Sequence, residues 1–233
     1  MHIERLKLYH GPATRSARVN WLLHELIGDA FELRRVSLND AEQYKPEYLA
    51  VNPHHAVPVL EITLRDGTAM TMIESGAMVA LLADAYPDQR LAPPSSSLRE
   101  RADYLQMLHF GASSMDMMLW QVKSHEDLLG ESERDERSAT RYRRKFVNEV
   151  EPQLRKRLEH HPFICGNGFL AVDCVIAHNV MWARLYGLCE SLIFADYVAR
   201  LAERPAFAKA FSDLHLFTKV PPPGSPVMER FTG

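Results

Sequence analysis

The sequence predicts an α/β domain followed by an all-helical one, and three observations carry that prediction. Over about the first ninety residues, runs of β-favouring residues alternate with helical periodicity. A Pro/Ser-rich joint, LAPPSSSLRE, then breaks the pattern. Beyond the joint, apolar residues recur only at helical spacing, in Tyr104 to Val122, Phe146 to Leu158, Val172 to Leu188 and Ile193 to Leu201.

The elements follow in order. Ile3 to Tyr9 reads as a strand, HGPAT as a turn, and Arg15 to Leu26 as a helix with Val19, Leu22, Leu23 and Leu26 on its apolar face and Gly28 closing it. Phe31 to Val36 is a second strand, and Asn39 to Asn52 holds a short helix at most. A hairpin follows, with Asp66-Gly67 at its tip between Val59, Leu60, Ile62 and Met70, Met72, Ile73. A helix from Ser75 to Tyr86 ends at Pro87. The order βαβ then ββα is the thioredoxin-like arrangement, with the first two strands parallel and the last two antiparallel. The predicted division is 1–88 for this domain, 89–97 for the linker and 98–219 for the helical domain. The tail, 220–233, opens on Val220-Pro221-Pro222-Pro223-Gly224 and is expected to be extended or disordered.

Composition narrows the function classes. A chain of 233 residues, 46% of them hydrophobic, can bury one large core or two small ones. A net charge of −3 argues against general nucleic-acid binding. No apolar run approaches the roughly 18 residues that span a bilayer, and neither an export signal nor an anchor is visible, so a cytoplasmic protein away from membranes is expected. Cys165, Cys174 and Cys189 are odd in number and lack CxxC spacing, which fits reduced thiols. His54-His55 and His160-His161 lack metal-ligand spacing, and no metal is expected.

Two segments carry chemistry. An X-Pro bond reaches the cis form at a cost of only about 0.5–1 kcal/mol, and a cis Val57-Pro58 would turn the Val57 N–H and C=O outward to pair with an extended peptide. Glu74-Ser75 opens a helix, where unpaired N–H groups and a hydroxyl suit a carboxylate and the Glu74 carboxylate suits an ammonium. An α-amino acid end fits both, as in a γ-glutamyl tripeptide. Either segment also has an ordinary reading, as a trans loop or a plain helix cap.

The stretches LKLYHGPATRSARVNWLLHEL, YKPEYLAVNPHHAVPVLEI, MIESGAMVALLADAYP, RADYLQMLHF and FLAVDCVIAHNVMW resemble the cytosolic glutathione transferases. The likeness is nearest to bacterial members and to the theta- and delta-like groups that use a hydroxyl. It implies glutathione as co-substrate, a homodimer, and a detoxifying transferase. Carried over by position, Val57 pairs with the cysteinyl part before a cis Pro58, and Glu74 and Ser75 hold the γ-glutamyl end. His55 and Gln43 meet the glycine carboxylate. Ala56 stands where other classes place Lys or Gln, so one charge contact is missing.

Catalysis requires the glutathione sulfur as thiolate. A free thiol has a pKa of about 8.5, and lowering it by about two units needs roughly 2.7 kcal/mol of preference for the anion. One hydroxyl hydrogen bond to a charged group supplies about 1.5–3 kcal/mol and a helix N-terminus about 0.3–1, so a hydroxyl on the first turn suffices. Thr14 fits the resemblance best, with Ser16 the second candidate; a helix cap is the ordinary role for Thr14. Arg15 occupies the place of the beta-class cysteine, which disfavours a protein-centred mixed disulfide. Tyr9, at a strand end, is expected in the core or the site wall.

An electrophile pocket is expected between the domains, with Met107, Phe110, Ser114, Met117 and Met118 at helical spacing. The alternatives on the same fold are glutathione-dependent isomerisation, dehalogenation or peroxide reduction, and a non-catalytic binding or regulatory protein. The basic run Arg141 to Lys145 is expected to be a solvated helix face. In the helical domain Asp173 matches a reciprocal capping pattern of the family, but Leu170 replaces its hydroxyl residue, a loss of about 0.5–2 kcal/mol if nothing compensates.

Overall fold

The computed structural model describes residues 3–228, which form two compact units: 3–86 together with 205–228, and 87–204.

The first unit is built on a four-stranded sheet in the order β2-β1-β3-β4. Strand β1 (Ile3–His10) runs into helix α1 (Ser16–Ile27) and then β2 (Glu32–Arg35), parallel to β1 with Leu8 opposite Leu33. A single turn, α2 (Pro46–Leu49), precedes the hairpin of β3 (Val59–Leu64) and β4 (Ala69–Met72), and α3 (Ser75–Ala85) follows. β3 is antiparallel to both neighbours, pairing Leu8 with Leu60 and Ile62 with Met70. This is the predicted thioredoxin-like order, with element ends displaced by a residue or two. The hairpin tip is set by Gly67 at φ 84° and by Asp66, whose carboxylate accepts the Thr68 N–H at 2.8 Å. α1 closes at Gly28, φ 62°, as expected.

Strand alternation sorts the β1 side chains. Tyr9 packs with Val36, Tyr48, Val57 and Val59 on one face. Leu6, Leu8 and His10 lie on the other, all but inaccessible.

The end of the chain requires a correction. The sequence reading assigned residues up to 219 to the helical domain, whereas 205–228 group with the sheet. Helix α10 (Pro205–Ala210; α4–α9 lie between) packs on α1: the Trp21 ring meets Phe207 and Phe211 edge-on at 5.0 and 6.1 Å, and Asn20 donates to the Ala210 carbonyl at 3.1 Å. Apolar burial and aromatic edge contacts on α1 outweigh proximity in sequence. The tail is not simply extended either. Ser225 donates to the Asn39 carbonyl and Val227 is buried. Residues 229–233 of the expected tail lie outside the described ones.

The second unit is helical: α4 (Leu98–His109), α5 (Asp116–Lys123), α6 (Glu136–Lys145), α7 (Glu151–Leu158), α8 (Ala171–Arg184) and α9 (Leu192–Ala202). π-type turns at Phe110–Met115 and Phe146–Val150 join α4 to α5 and α6 to α7, so each pair forms one bulged run. Gly111 sits in the first bulge, where an added Cβ would lie 2.7 Å from Ile176 of α8, and Asn179 of α8 donates to its carbonyl at 2.6 Å. At the N-terminus of α8, the buried Asp173 keeps its own half of the reciprocal cap. It accepts the N–H groups of Leu170 at 2.9 Å and Ile164 at 3.0 Å, and the Tyr197 hydroxyl at 2.7 Å. Among the described residues, no helix is long and apolar enough to cross a membrane.

Candidate active site

Three local structures in the sheet-bearing unit hold the residues singled out from the sequence. The first is the loop entering β3. Val57-Pro58 is cis. The carbonyl just before it, on Ala56, accepts both the Tyr48 hydroxyl at 2.7 Å and the Asn52 amide at 2.9 Å, which fixes the loop from beneath. Asn52 also turns the chain at His54, whose N–H it accepts at 3.0 Å. His55, exposed and at φ 45°, lies over the Tyr44 ring at 4.6 Å. Beside Tyr44, Gln43 is buried and its Oε1 has no hydrogen-bond partner among the described residues, an uncompensated polar atom of the kind a ligand satisfies.

The second is the start of α3. Glu74 is exposed in a left-handed conformation, φ 77°, and Ser75 is buried at the first helical position. Sequence reasoning missed the group behind it. Arg18 of α1 is fully buried and donates to Ser75 Oγ at 3.1 Å, putting a guanidinium under the helix N-terminus. Its only sequence signal is an arginine on the inward face of an otherwise apolar helix.

The third is the turn between β1 and α1. Thr14 does not lie in the first helical turn as expected. α1 begins at Ser16, and its N-cap, Arg15, has helical backbone angles. Thr14 is half-buried and Ser16 fully buried, so Thr14 is the more accessible of the two hydroxyl residues. The two oxygens are 2.7 Å apart. Thr14 Oγ1 donates to the Gly11 carbonyl at 2.8 Å and accepts the Ser16 N–H at 3.3 Å. Ser16 Oγ accepts the Gly11 N–H at 3.0 Å and lies 2.8 Å from His10 Nδ1. Gly11 ties this turn to the first loop: a Cβ there would stand 3.4 Å from Val57 Cγ2 and 3.1 Å from the Leu38 side chain.

Tyr9 belongs to the core, its hydroxyl donating to Glu61 at 3.0 Å. Of the residues expected to meet the electrophile, Met107 is 2% and Met118 4% exposed, so neither offers surface to a ligand. Phe110 and Ser114 are half-buried, and Met117 is 42% exposed. All of these belong to the helical unit. The three cysteines also lie there, and burial, the largest effect, pushes the Cys165 and Cys189 thiols well above their ordinary range.

Comparison with known proteins bears on this arrangement. Residues 4–84 match the family described as Glutathione S-transferase, N-terminal domain. The chain is 30% identical over 210 residues to Glutathione S-transferase GstA of Escherichia coli O157:H7, covering 89% of this chain and 98% of that protein. It is 26% identical over 216 residues to the Disulfide-bond oxidoreductase YfcG of Escherichia coli K12, covering 88% and 94%. A crystal structure of a glutathione transferase family member from Pseudomonas fluorescens Pf-5, with two glutathione molecules bound, superposes with a TM-score of 0.76 at 25% identity, over 89% of this chain and 92% of that one.

Proposed function

Because the chain belongs to the glutathione S-transferase family, we propose that it binds glutathione along the Val57-Pro58 loop and raises its sulfur to a thiolate at Thr14 for attack on a small apolar electrophile. The observation that carries this reading is the linkage of the three local structures: Gly11 locks the hydroxyl turn against Val57, and Arg18 locks α1 to Ser75. Peptide backbone, γ-glutamyl end and sulfur then meet fixed groups at once, which supplies proximity, while Thr14 supplies anion stabilisation. Gln43, through its amide NH2, and His55 take the glycine carboxylate, while the unpaired Gln43 Oε1 is left to accept from a donor such as a peptide N–H. Phe110, Ser114 and Met117 are the surface proposed for the electrophile. The homodimer implied by the resemblance belongs to the same proposal.

The test is the thiolate absorbance of bound glutathione. Thr14→Ala should lower kcat/KM by about 10–100-fold, the equivalent of one charged hydrogen bond, while glutathione still binds. An unchanged thiolate signal in that variant sinks the assignment of Thr14.

A second reading is glutathione-dependent disulfide reduction, favoured by the likeness to the disulfide-bond oxidoreductase over 88% of the chain. Residues 3–86 contain no cysteine. The step would therefore run between substrate sulfurs: the glutathione thiolate attacks a disulfide, forms one mixed disulfide and releases the other sulfur as thiolate. Parallel assays with a halogenated aromatic and with a small disulfide, both with glutathione, distinguish the two.

A further inference from the structure

Behind the two hydroxyls lies a polar chain that the transferase reading does not use. His10 is fully buried at the end of β1, with Nδ1 2.8 Å from Ser16 Oγ and Nε2 3.2 Å from Asp213 Oδ2. The second contact is close enough for an ion pair but falls outside the angular range of a hydrogen bond. Asp213 is 3% exposed and comes from the segment just after α10. It also accepts from Arg35 Nε of β2 at 3.2 Å. Serine, histidine and aspartate in this order suggest an activated nucleophile, but Ser16 has no exposed surface from which to attack a substrate.

Counting protons gives a different role. Ser16 Oγ has one proton and two lone pairs. One lone pair takes the Gly11 N–H. If His10 carries protons on both nitrogens, Nδ1–H fills the other lone pair, so the Ser16 proton must be donated onward, to Thr14 at 2.7 Å or to the Gly11 carbonyl at 3.1 Å. Thr14, accepting from Ser16, is then free to turn its own proton from the Gly11 carbonyl to an incoming anion. If instead Nδ1 is bare, Ser16 donates inward to it and becomes an acceptor for Thr14, which draws the Thr14 proton away from a ligand. The direction of both hydroxyls is therefore set by the protons on His10, whose Nε2 lies 3.2 Å from Asp213 Oδ2 at the far end of the chain.

We propose that His10, charged and held by Asp213, is a positioning residue that turns the Ser16 and Thr14 hydroxyls outward toward the glutathione sulfur. This rests on the glutathione reading above and deepens it. His10 keeps both protons throughout, and the thiol proton leaves to water. Among the described residues, the charged groups facing His10 are Asp213 and, through it, Arg35; its side-chain hydrogen-bond partner, Ser16, is neutral.

The experiment combines ring-nitrogen NMR of His10 with thiolate titration of bound glutathione in the wild type, His10→Asn, His10→Leu and Asp213→Asn. Both His10 nitrogens should be protonated in the wild type at the pH where the thiolate forms. His10→Leu and Asp213→Asn should each lower the thiolate fraction at neutral pH by about tenfold, the scale of one charge-assisted hydrogen bond. His10→Asn places a permanent N–H donor where Nδ1 stood and should retain the thiolate within about threefold, which a purely structural role for the ring would not give. A bare Nδ1 in the glutathione-bound wild type overturns the proposal, even if no variant folds. So does an unchanged thiolate fraction in folded His10→Leu, and then the glutathione reading stands without the chain. A wild-type protein that does not bind glutathione overturns both.

Discussion

Asp213 and Asp173 are both nearly inaccessible, at 3% and 0% exposed, yet their surroundings drive them in opposite directions. For each, burial is the largest effect and raises the pKa. At Asp213 the contact with His10 and the charges of His10 and Arg35 outweigh it, and the carboxyl is held below its usual range. At Asp173 the hydrogen-bonding donors are neutral, two backbone N–H groups and the Tyr197 hydroxyl, and burial pushes the carboxyl up to about 6. Counter-charge makes the first a steady anion able to polarise a chain of hydroxyls. Neutral dipoles, with the charge of Arg204 the smallest influence, make the second a fastener that tolerates a negative charge at a cost.

The largest effect should come from removing the fastener. Asp173→Ala leaves the Leu170 and Ile164 N–H groups and the Tyr197 hydroxyl without their acceptor inside a core. At about 1–3 kcal/mol for each orphaned group, with partial relief by water, a loss of about 3–5 kcal/mol is expected in denaturant unfolding. Whatever folded protein remains should titrate bound glutathione like the wild type. A changed thiolate fraction would mean that the two aspartates are not separable in this way.

The next effect is in pH. Between about 4 and 6 the folded protein still holds the Asp173 proton that the unfolded chain has already released, so stability falls as pH rises through that window, by about 2–3 kcal/mol for a shift of this size. Asp213 acts with the opposite sign: its contribution is present above the ordinary carboxylate range and is lost as pH drops through its lowered folded value. Asp173→Asn should therefore flatten the stability profile between about pH 4 and 6 and leave the more acidic limb intact. Identical profiles for the variant and the wild type would remove the contrast.

The same contrast shows what the sequence could reveal. The cis Val57-Pro58 loop, the Asp66-Gly67 hairpin and the Glu74-Ser75 helix start were legible because each is encoded within a few residues, by proline geometry, turn chemistry and the onset of an apolar helical stretch. Asp173 was legible for the same reason, as one half of a local cap. Asp213 was not: it reaches Arg35 from 178 positions away, and nothing local distinguishes it from a solvated acid. The docking of α10 on α1 was hidden likewise, since Trp21, Phe207 and Phe211 register only as helical periodicity. Arg18 was not singled out, and only its complete burial reveals a partner in Ser75. The position of Thr14 before the helix is a backbone matter: Arg15 adopts helical angles without capping, so the helix begins one residue later than its apolar pattern implied.

The smallest effect tests how completely Asp173 replaces the missing cap. Half of the reciprocal arrangement is present, since Asp173 accepts the Leu170 N–H at 2.9 Å. The other half is absent because leucine has no side-chain acceptor, and the Asp173 N–H turns instead to the Leu170 carbonyl at 2.9 Å. Leu170 is half-buried with extended backbone, φ −127° and ψ 163°, the conformation a capping serine adopts. Leu170→Ser should therefore gain about 0.5–1 kcal/mol from the new acceptor, less whatever apolar contact the leucine gives up. A gain shows that α8 was under-capped despite its buried aspartate. A loss shows that the leucine contributes more through packing than a hydroxyl would through its hydrogen bond, and that Asp173 with its three donors already closes the helix.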